Sequence, residues 1–281
     1  MSIRIITDSA SDYPKAAENN VTVLPMTISF GFNTYLDGVT LSHHEFYEKL
    51  IESDVLPVTS LVSPGDFEEA FRESVEAGDS VICITVSSKL SGTWQSAVLG
   101  ASEYAGKVFV VDSLNASIGE TILVDRALEL VKAGLGVEEI VEKLDEEKKD
   151  IRVIAMLNTL EYLQKGGRLS ASAALIGGVL GIKPVIAIED GEVKVLGKAR
   201  GSKSGNNLLI TEIGKTNGID FTRPYHLGYT GLHGGMLNKY INDSTILWEG
   251  HTDHLPVCSI GGTIGTHVGP DAIAVAFFRQ H

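Results

Sequence analysis

Cysteine is scarce in this chain: its 281 residues include only Cys83 and Cys258. Two cysteines so far apart in sequence favour neither a disulfide framework nor a cysteine metal site. Cys83 lies in an apolar run, where we expect it to pack as a small core side chain. This usage is typical of a reducing compartment, so the sequence predicts a cytoplasmic protein.

Positive charge is the second deficit. The chain has 23 lysine and arginine residues against 36 aspartate and glutamate residues, and its formal net charge is -13. Nucleic-acid binding depends on a basic patch, and docking to an anionic membrane surface depends on clustered basic residues. The acidic balance therefore disfavours both kinds of partner, and a role in solubility is enough to explain it.

A long apolar run is also missing. The most apolar later stretch, residues 173–182, is too short to span a bilayer and is interrupted by Gly177, Gly178 and Gly181. The N-terminal apolar segment meets Asp8 at once and lacks the basic region and length of a signal peptide. We therefore expect no integral membrane segment.

Motifs for nucleotide cofactors and metals are missing as well. Residues 7–12, after the first predicted strand, lack the glycines of a dinucleotide fingerprint. Asp8 and Asp12 have no further acidic cluster nearby, so a magnesium site is not supported. The histidines lack the spacing of zinc ligands. The sequence thus predicts no cofactor and no metal.

What is present is an alternation of strands and helices. Continuous apolar runs predict strands covered on both faces at residues 3–7, 80–86 and 108–111. Ser42 with Glu45, and Ser63 with Pro64, are typical of helix starts. This alternation favours a parallel sheet with flanking helices. It extends to about Asp150, so we predict an N-terminal α/β domain over residues 1–150.

Residues 151–281 are predicted to form a second α/β domain with a mixed sheet. Asp190-Gly191 separates two apolar segments, which is a strong signal for a two-residue β-hairpin. The apolar run at residues 273–278 predicts the last strand.

Four further local signals lead to definite predictions. Asp12 before Pro14 predicts a helix start. Residues 21–30 predict one strand interrupted at Pro25. Residues 91–104 predict a helix with Ser91 as its N-cap, and residues 246–248 predict a strand.

A candidate anion site lies where the strand near Val86 gives way to a helix. Ser91 is placed to cap this helix, Gly92 allows a ligand to approach the backbone, and Thr93 follows. The free N–H groups of a first helical turn favour a carboxylate or phosphate. The alternative is an ordinary N-cap serine that serves its own helix.

Thr59 and Ser60 place two adjacent hydroxyls before a helix that opens with a proline. They can donate to an anion at the carboxyl ends of the strands, where open α/β sheets bind ligands. The alternative is turn chemistry, because serine and threonine commonly bond nearby backbone groups.

Four basic or titratable positions are also candidates. Lys165 and Arg168 flank a glycine turn and form either a docking point or ordinary helix-end charges. His267 lies in an apolar, glycine-bounded segment and is either a ligand-binding residue or a satisfied core histidine. Arg200 is either a partner for an anion or a solvated hairpin end.

Taken in order, several short segments resemble the DegV family over nearly the whole chain. The matching segments are Thr7-Asp8-Ser9, Thr59-Ser60 with Ser63-Pro64, residues 87–93, Val111-Asp112-Ser113, residues 162–170, Lys183-Pro184, Arg200-Gly201 and residues 266–270. The resemblance fades between residues 205 and 256. Leu61-Val62 stands where the family usually has Gln-Pro, and Asp271 stands where it usually has glycine. We expect the second change to alter the polarity near His267.

The resemblance implies two α/β domains that bury a long-chain fatty acid such as palmitate. It implies carboxylate binding by Thr59, Ser60, Ser91, Gly92 and Thr93, with Arg200 and His267 completing the polar end. It also implies that the chain is not itself an enzyme. A separate fatty acid kinase subunit would convert the bound acid to an acyl phosphate, and Lys165 and Arg168 would face that kinase.

Two other functions fit parts of the pattern. A serine acyl hydrolase would use Ser91 with His267, but the Gly-x-Ser-x-Gly elbow is missing and no acid is clearly paired with the histidine. A structural or regulatory adaptor would contact its partner through Lys165 and Arg168, whether or not lipid is bound.

Overall fold

The computed structural model describes residues 2–169 and 181–281. Within these ranges the strands are β1 (Ile3–Asp8), β2 (Thr22–Leu24), β3 (Thr27–Phe30), β4 (Asn33–Leu36), β5 (Val58–Ser60), β6 (Ser80–Thr85), β7 (Val108–Asp112), β8 (Ile151–Met156), β9 (Ile182–Glu189), β10 (Glu192–Arg200), β11 (Tyr225–Tyr229), β12 (Val257–Ser259) and β13 (Ile273–Phe278).

The α-helices in the same part of the chain vary from four to fifteen residues. They are α1 (His43–Glu52), α2 (Pro64–Glu76), α3 (Thr93–Gly100), α4 (Ile118–Lys132), α5 (Val137–Glu147), α6 (Glu161–Lys165), α7 (Gly201–Lys215), α8 (Gly235–Asp243), α9 (Thr245–Trp248) and α10 (Gly262–Val268). Two short 3₁₀ helices cover Ser9–Ser11 and Lys148–Asp150.

The N-terminal sheet is parallel and has the strand order β2-β1-β6-β7. Every residue of β6 is buried, which explains its continuous apolar sequence, because both faces of the sheet are covered. The predicted parallel sheet with flanking helices is confirmed.

The second large sheet is mixed and has the order β10-β9-β8-β13-β11-β12. Only its β11–β12 pair is parallel among the pairs of the described residues. The β9–β10 hairpin turns at Asp190 and Gly191, which both have positive φ angles, 50° and 83°. This is the geometry that an Asp-Gly hairpin signal predicts. The predicted fold class is therefore confirmed, whereas the boundary near Asp150 stays a prediction.

A third, smaller sheet has the antiparallel order β4-β3-β5. The sequence predicted a single strand over residues 21–30, but Pro25 divides this segment into β2 and β3, which belong to different sheets. A proline has no N–H for a strand ladder, so the chain leaves one sheet there and enters another.

Two other local predictions were wrong. The expected helix after Asp12 is replaced by turns, because the Asp12 carboxylate bonds distant groups, Ser117 Oγ at 2.6 Å and the Gly261 N–H at 2.7 Å. The expected strand at residues 246–248 is helix α9. Ile246 is 79% exposed there, and Trp248 is buried with its indole N–H donating to Ser244 Oγ.

Helix α10 comes from the C-terminal half but packs against α1, β3 and β5. The Asp37 carboxylate accepts hydrogen bonds from the N–H groups of Gly262 and Thr263, both at 3.1 Å. Gly265 allows close contact with α1, because a Cβ atom there would lie 2.6 Å from Tyr47 Oη. The buried Asp37 carboxylate and Gly265 therefore fix the position of α10.

We predict that Asp37→Ala lowers the free energy of unfolding by about 1–3 kcal/mol, because two buried N–H groups lose their acceptor. Urea denaturation at pH 7 measures this loss. Asp66→Ala is the matched control, since the exposed Asp66 carboxylate accepts from the Ser63 N–H in the capping box of α2. A loss no larger than that of the control would contradict the importance of Asp37.

Candidate functional site

A cavity lies between the carboxyl ends of the parallel sheet and one face of the six-stranded sheet. The segments that follow β1, β6 and β7 contribute Ala10, Val86 and Ala116. The central strands of the six-stranded sheet contribute Val153, Ala155, Ile186, Ala187, Ile188 and Ala274, and Ala272 lines the cavity just before β13. Most of the lining is therefore apolar.

Small side chains make room for this cavity. Ala155 on β8 pairs with Ala274 on β13 and with Ile186 on β9, so this row of the sheet faces the cavity with two alanines side by side. The opposite face of the same strands carries larger residues, including Ile154, Met156 and Phe277, which pack in a separate core. The cavity thus results from small side chains on one face of a continuous sheet.

One end of the cavity is polar. Thr59, Ser60, Ser91, Arg168 and His267 all contribute to the lining, although they come from four separate segments of the chain. Thr59 Oγ1 and His267 Nε2 are 2.9 Å apart and form a hydrogen bond between β5 and α10. The structure therefore brings together five of the positions that the sequence marked as binding or docking candidates.

His267 is held in an uncharged form by its surroundings. Burial, with a smaller contribution from the nearby positive charge of Arg168, lowers the pKa of His267 to about 4. Its Nδ1 atom has no hydrogen-bond partner among the described residues. This atom lies against Gly166, where a Cβ atom would come within 2.3 Å of it. Gly166 is thus required for space, since its φ of -74° suits any residue.

Arg168 is half-buried at the polar end. Its Nε donates to the Leu90 carbonyl at 3.0 Å, and its Nη1 donates to the Gly166 carbonyl at 2.6 Å. Within the described ranges no carboxylate forms a salt bridge with Arg168, and burial alone lowers the pKa of its guanidinium. Two backbone carbonyls therefore hold a guanidinium whose charge has no protein counterion in this part of the chain.

Lys165, the other docking candidate, lies elsewhere. Its side chain is exposed and forms a salt bridge with Glu161 at 2.5 Å. The sequence grouped Lys165 and Arg168 as one basic surface, but the glycine turn between them separates an exposed ammonium from a cavity-lining guanidinium. Their docking role stays a prediction.

The start of α3 differs from the prediction. Gly92 is the N-cap, and the helix covers Thr93–Gly100 instead of residues 91–104. Ser91 Oγ accepts a weak hydrogen bond from the Thr93 N–H at 3.3 Å and is 2.9 Å from Thr93 Oγ1. Ser91 lines the cavity, whereas Gly92 and the buried Thr93 do not, and Leu61 Cδ2 lies 3.0 Å from where a Gly92 Cβ would be.

The structure does not bring Arg200 to the cavity. It is exposed at the end of β10, directly before α7, and is not a lining residue. Asp271 is also exposed and is not among the residues that line the cavity, and its effect on the polarity near His267 stays a prediction. Its φ of 61° lies in the left-handed region, which explains why glycine is usual and aspartate is tolerated there.

The geometry of a serine hydrolase is not formed here. Ser91 pairs with Thr93, while His267 pairs with Thr59. In residues 2–169 and 181–281 no carboxylate contacts His267 Nδ1.

The same residues contain no cluster of three or more histidine, cysteine, aspartate or glutamate side chains that could hold a metal ion. No helix in these ranges is long and apolar enough to cross a membrane.

Comparison with known proteins identifies the family. Residues 2–280 match the family model described as uncharacterised proteins of the DegV family. The chain belongs to the DegV family. A DegV domain-containing protein of Caldanaerobacter subterraneus is 36% identical over 280 residues, which are 98% of both chains.

Two solved structures share the whole fold. A DegV family protein from Thermus thermophilus, described for its fatty acid binding, has a TM-score of 0.89 and 31% identity over all of both chains. A stearic acid-binding protein from Eubacterium ventriosum has a TM-score of 0.87 and 28% identity, over 99% of this chain and 98% of its own. The DegV resemblance read from the short sequence segments is therefore confirmed.

Two features of this DegV site escaped the sequence prediction. Arg168 was assigned to docking and not to the cavity, because nothing local indicates where its side chain lies. The alanine row formed by Ala155 and Ala274 was not recognised, although the alternation of small residues along the last strand was a usable signal. The glycine-rich run at residues 173–182, for which the sequence predicts either a wall of the cavity or tight helix packing, falls mostly outside the described residues.

We predict that His267 makes this DegV chain less stable at acidic pH. The unfolded chain takes up a proton near the ordinary histidine pKa of 6.5, whereas the folded chain does so only near 4. Since the unfolded state binds more protons between these values, the unfolding free energy falls as pH falls through this window.

The variant His267→Gln is expected to lose less unfolding free energy between pH 7 and pH 4.5 than the wild type does, as measured by urea titration at several pH values. His44→Gln, which removes an exposed histidine on α1, is the control. Parallel pH profiles of the His267→Gln variant and the wild type would show this prediction to be wrong.

Proposed function

We propose that this DegV protein binds a long-chain fatty acid such as palmitate, with the carboxylate at the polar end of the cavity. The observation that carries the proposal is the Thr59–His267 hydrogen bond beside the guanidinium of Arg168, which has no carboxylate partner among the described residues, at one end of a largely apolar cavity. Related DegV structures described as fatty-acid-binding support the same assignment.

The head group needs donors that replace its water shell, because a buried carboxylate without partners is costly. A neutral His267 that donates from Nε2 to Thr59 Oγ1 leaves the Thr59 hydroxyl hydrogen free for the ligand. Ser60 and Ser91 bring two more hydroxyls, and Arg168 brings the compensating positive charge. Hydrogen bonds to charged groups are the stronger ones, so this set suits an anion.

The tail supplies most of the driving force. A sixteen-carbon acid has about fourteen methylenes, worth roughly 11 kcal/mol at about 0.8 kcal/mol each if all leave water. The loss of translational and conformational freedom offsets a large part of this gain. A closed apolar cavity is therefore needed, and the row containing Ala155 and Ala274 provides its width.

We further propose that the bound acid is presented to a separate fatty acid kinase, which transfers the terminal phosphoryl group of ATP to the carboxylate and releases ADP. The exposed position of Ser60 supports access to the head group from outside. The exposed Lys165 next to the Arg168 turn is a candidate contact for the kinase. The chain itself is then a binding subunit and not an enzyme, in the cytoplasm, where its two free, buried cysteines stay reduced.

Fatty-acid binding is tested by extracting the purified protein with solvent and identifying the released lipid by mass spectrometry. We expect a long-chain acid from the wild type and a strongly reduced amount from Thr59→Val. Loss of one hydrogen bond to a charged group costs about 1.5–3 kcal/mol, so the dissociation constant should rise roughly 10- to 100-fold.

Thr211→Val is the matched control, because the Thr211 hydroxyl bonds the carbonyl of Asn207 on the exposed side of α7. It should retain lipid like the wild type. A wild-type protein that carries no lipid and binds no added fatty acid would overturn the proposed function.

The docking role of Lys165 leads to a separate prediction. Lys165→Glu should leave the affinity for palmitate unchanged, because this side chain points away from the cavity lining. It should raise the Michaelis constant of the kinase for the loaded protein severalfold, since reversing an exposed charge at an interface mainly slows association.

Lys215→Glu on α7 is the control for charge, because Lys215 is also exposed and also paired with a glutamate. Equal effects of both substitutions on acyl-phosphate formation would remove Lys165 from the proposed interface.

A further inference from the structure

Two cavities of this protein share a wall. The proposed acyl cavity and a second cavity are both lined by Ile188. Beyond Ile188 the second cavity is lined largely by charged and polar side chains, including Lys149, Arg152, Glu189 and Asn115. Ile188 therefore stands at the boundary between an apolar space and a charged one.

The position of Ile188 on its strand accounts for this arrangement. It lies on β9, pairs with Val153 on β8 and with Val193 on β10, and packs against two of the hydrophobic clusters of the core. Ile186, two residues earlier on the same strand, lines the acyl cavity but not the second one. Of these two isoleucines, only Ile188 therefore lines both cavities.

Along β8, Ile188 lies beside Val153, at the opposite end of the lining from Leu157. The cavity lining follows β8 from Val153 to Leu157, and the chain then continues into α6 and the turn that carries Arg168. Four residue steps along a strand span roughly 13 Å. A fatty acid with its carboxylate near Arg168 therefore extends its methyl end towards Val153 and Ile188.

We infer that Ile188 is the stop for the methyl end of the acyl chain and sets the longest chain that this protein binds well. The inference rests on the proposed function. Methylenes that pass this residue would leave an apolar wall and enter a space lined by Lys149, Arg152 and Glu189, where they displace water from charged groups. Acyl chains that end at or before Ile188 gain affinity with each added methylene, and longer acyl chains do not.

The test is a series of saturated fatty acids from twelve to twenty-two carbons, with dissociation constants measured for delipidated protein. In the wild type, affinity should rise about fourfold per methylene, the equivalent of about 0.8 kcal/mol, up to one chain length and then level off or fall. In Ile188→Ala this break should move to chains about two to three carbons longer, because three side-chain carbons have been removed.

Two variants complete the test. Ile188→Val, a smaller change that keeps the strand well packed, should move the break by about one carbon. Ile186→Ala is the matched control, since it widens the same cavity from the same strand and face without opening the second cavity, and it should leave the break where it is.

The outcomes distinguish the role of Ile188 from fatty-acid binding itself. Wild-type binding with an unmoved break in both Ile188 variants would overturn the role of Ile188 and leave fatty-acid binding intact. A break that moves equally in Ile186→Ala would also overturn it, because cavity volume alone would then set the length. Failure of the wild type to bind any acid of the series would overturn the proposed function and the role of Ile188 together.

Discussion

The hydrogen bond between Thr59 and His267 is the contact on which the candidate site depends. It joins β5 of the N-terminal half to α10 of the C-terminal half, across 208 residues of sequence. Burial keeps the imidazole uncharged at neutral pH, so the pair can offer a hydroxyl hydrogen without adding a second buried charge. The positive charge is left to Arg168, which two carbonyl groups hold in place.

This contact requires that α10 be positioned accurately, and hydrogen bonds to buried aspartates position it. Asp37 accepts from the first N–H groups of α10, and Asp12 accepts from the N–H of Gly261 just before it. A short helix of seven residues has little stability of its own, so its ends must be held by the surrounding structure. With its start held by these aspartates, α10 packs against α1, where Gly265 leaves room for Tyr47.

The rest of the site follows from a sheet with two different faces. On β8, β9 and β13 the face with large side chains makes a filled core, and the face with alanines leaves a cavity. The β9–β10 hairpin closes this region, because Ser87 Oγ donates to the Gly191 carbonyl at 2.8 Å. A rigid sheet thus determines the width and length of the space available to an acyl chain, while the polar end is assembled from loops and helix ends.

The amino-acid sequence by itself determined the features that depend on neighbouring residues. Apolar runs predicted β1, β6 and β7, the capping box at Ser42 predicted α1, and Asp190-Gly191 predicted a hairpin with both φ angles positive. The hydroxyls of Thr59 and Ser91 were candidates for the same reason, since each stands beside the start of a helix.

Only the tertiary structure decided which candidates meet. It placed Arg168 in the cavity and Arg200 outside it, divided residues 21–30 between two sheets at Pro25, and used Asp12 to hold Gly261 instead of starting a helix. These outcomes depend on contacts between residues separated by tens to hundreds of positions. Local spacing and propensity describe how a segment folds, but they contain no information about which distant segment will pack against it.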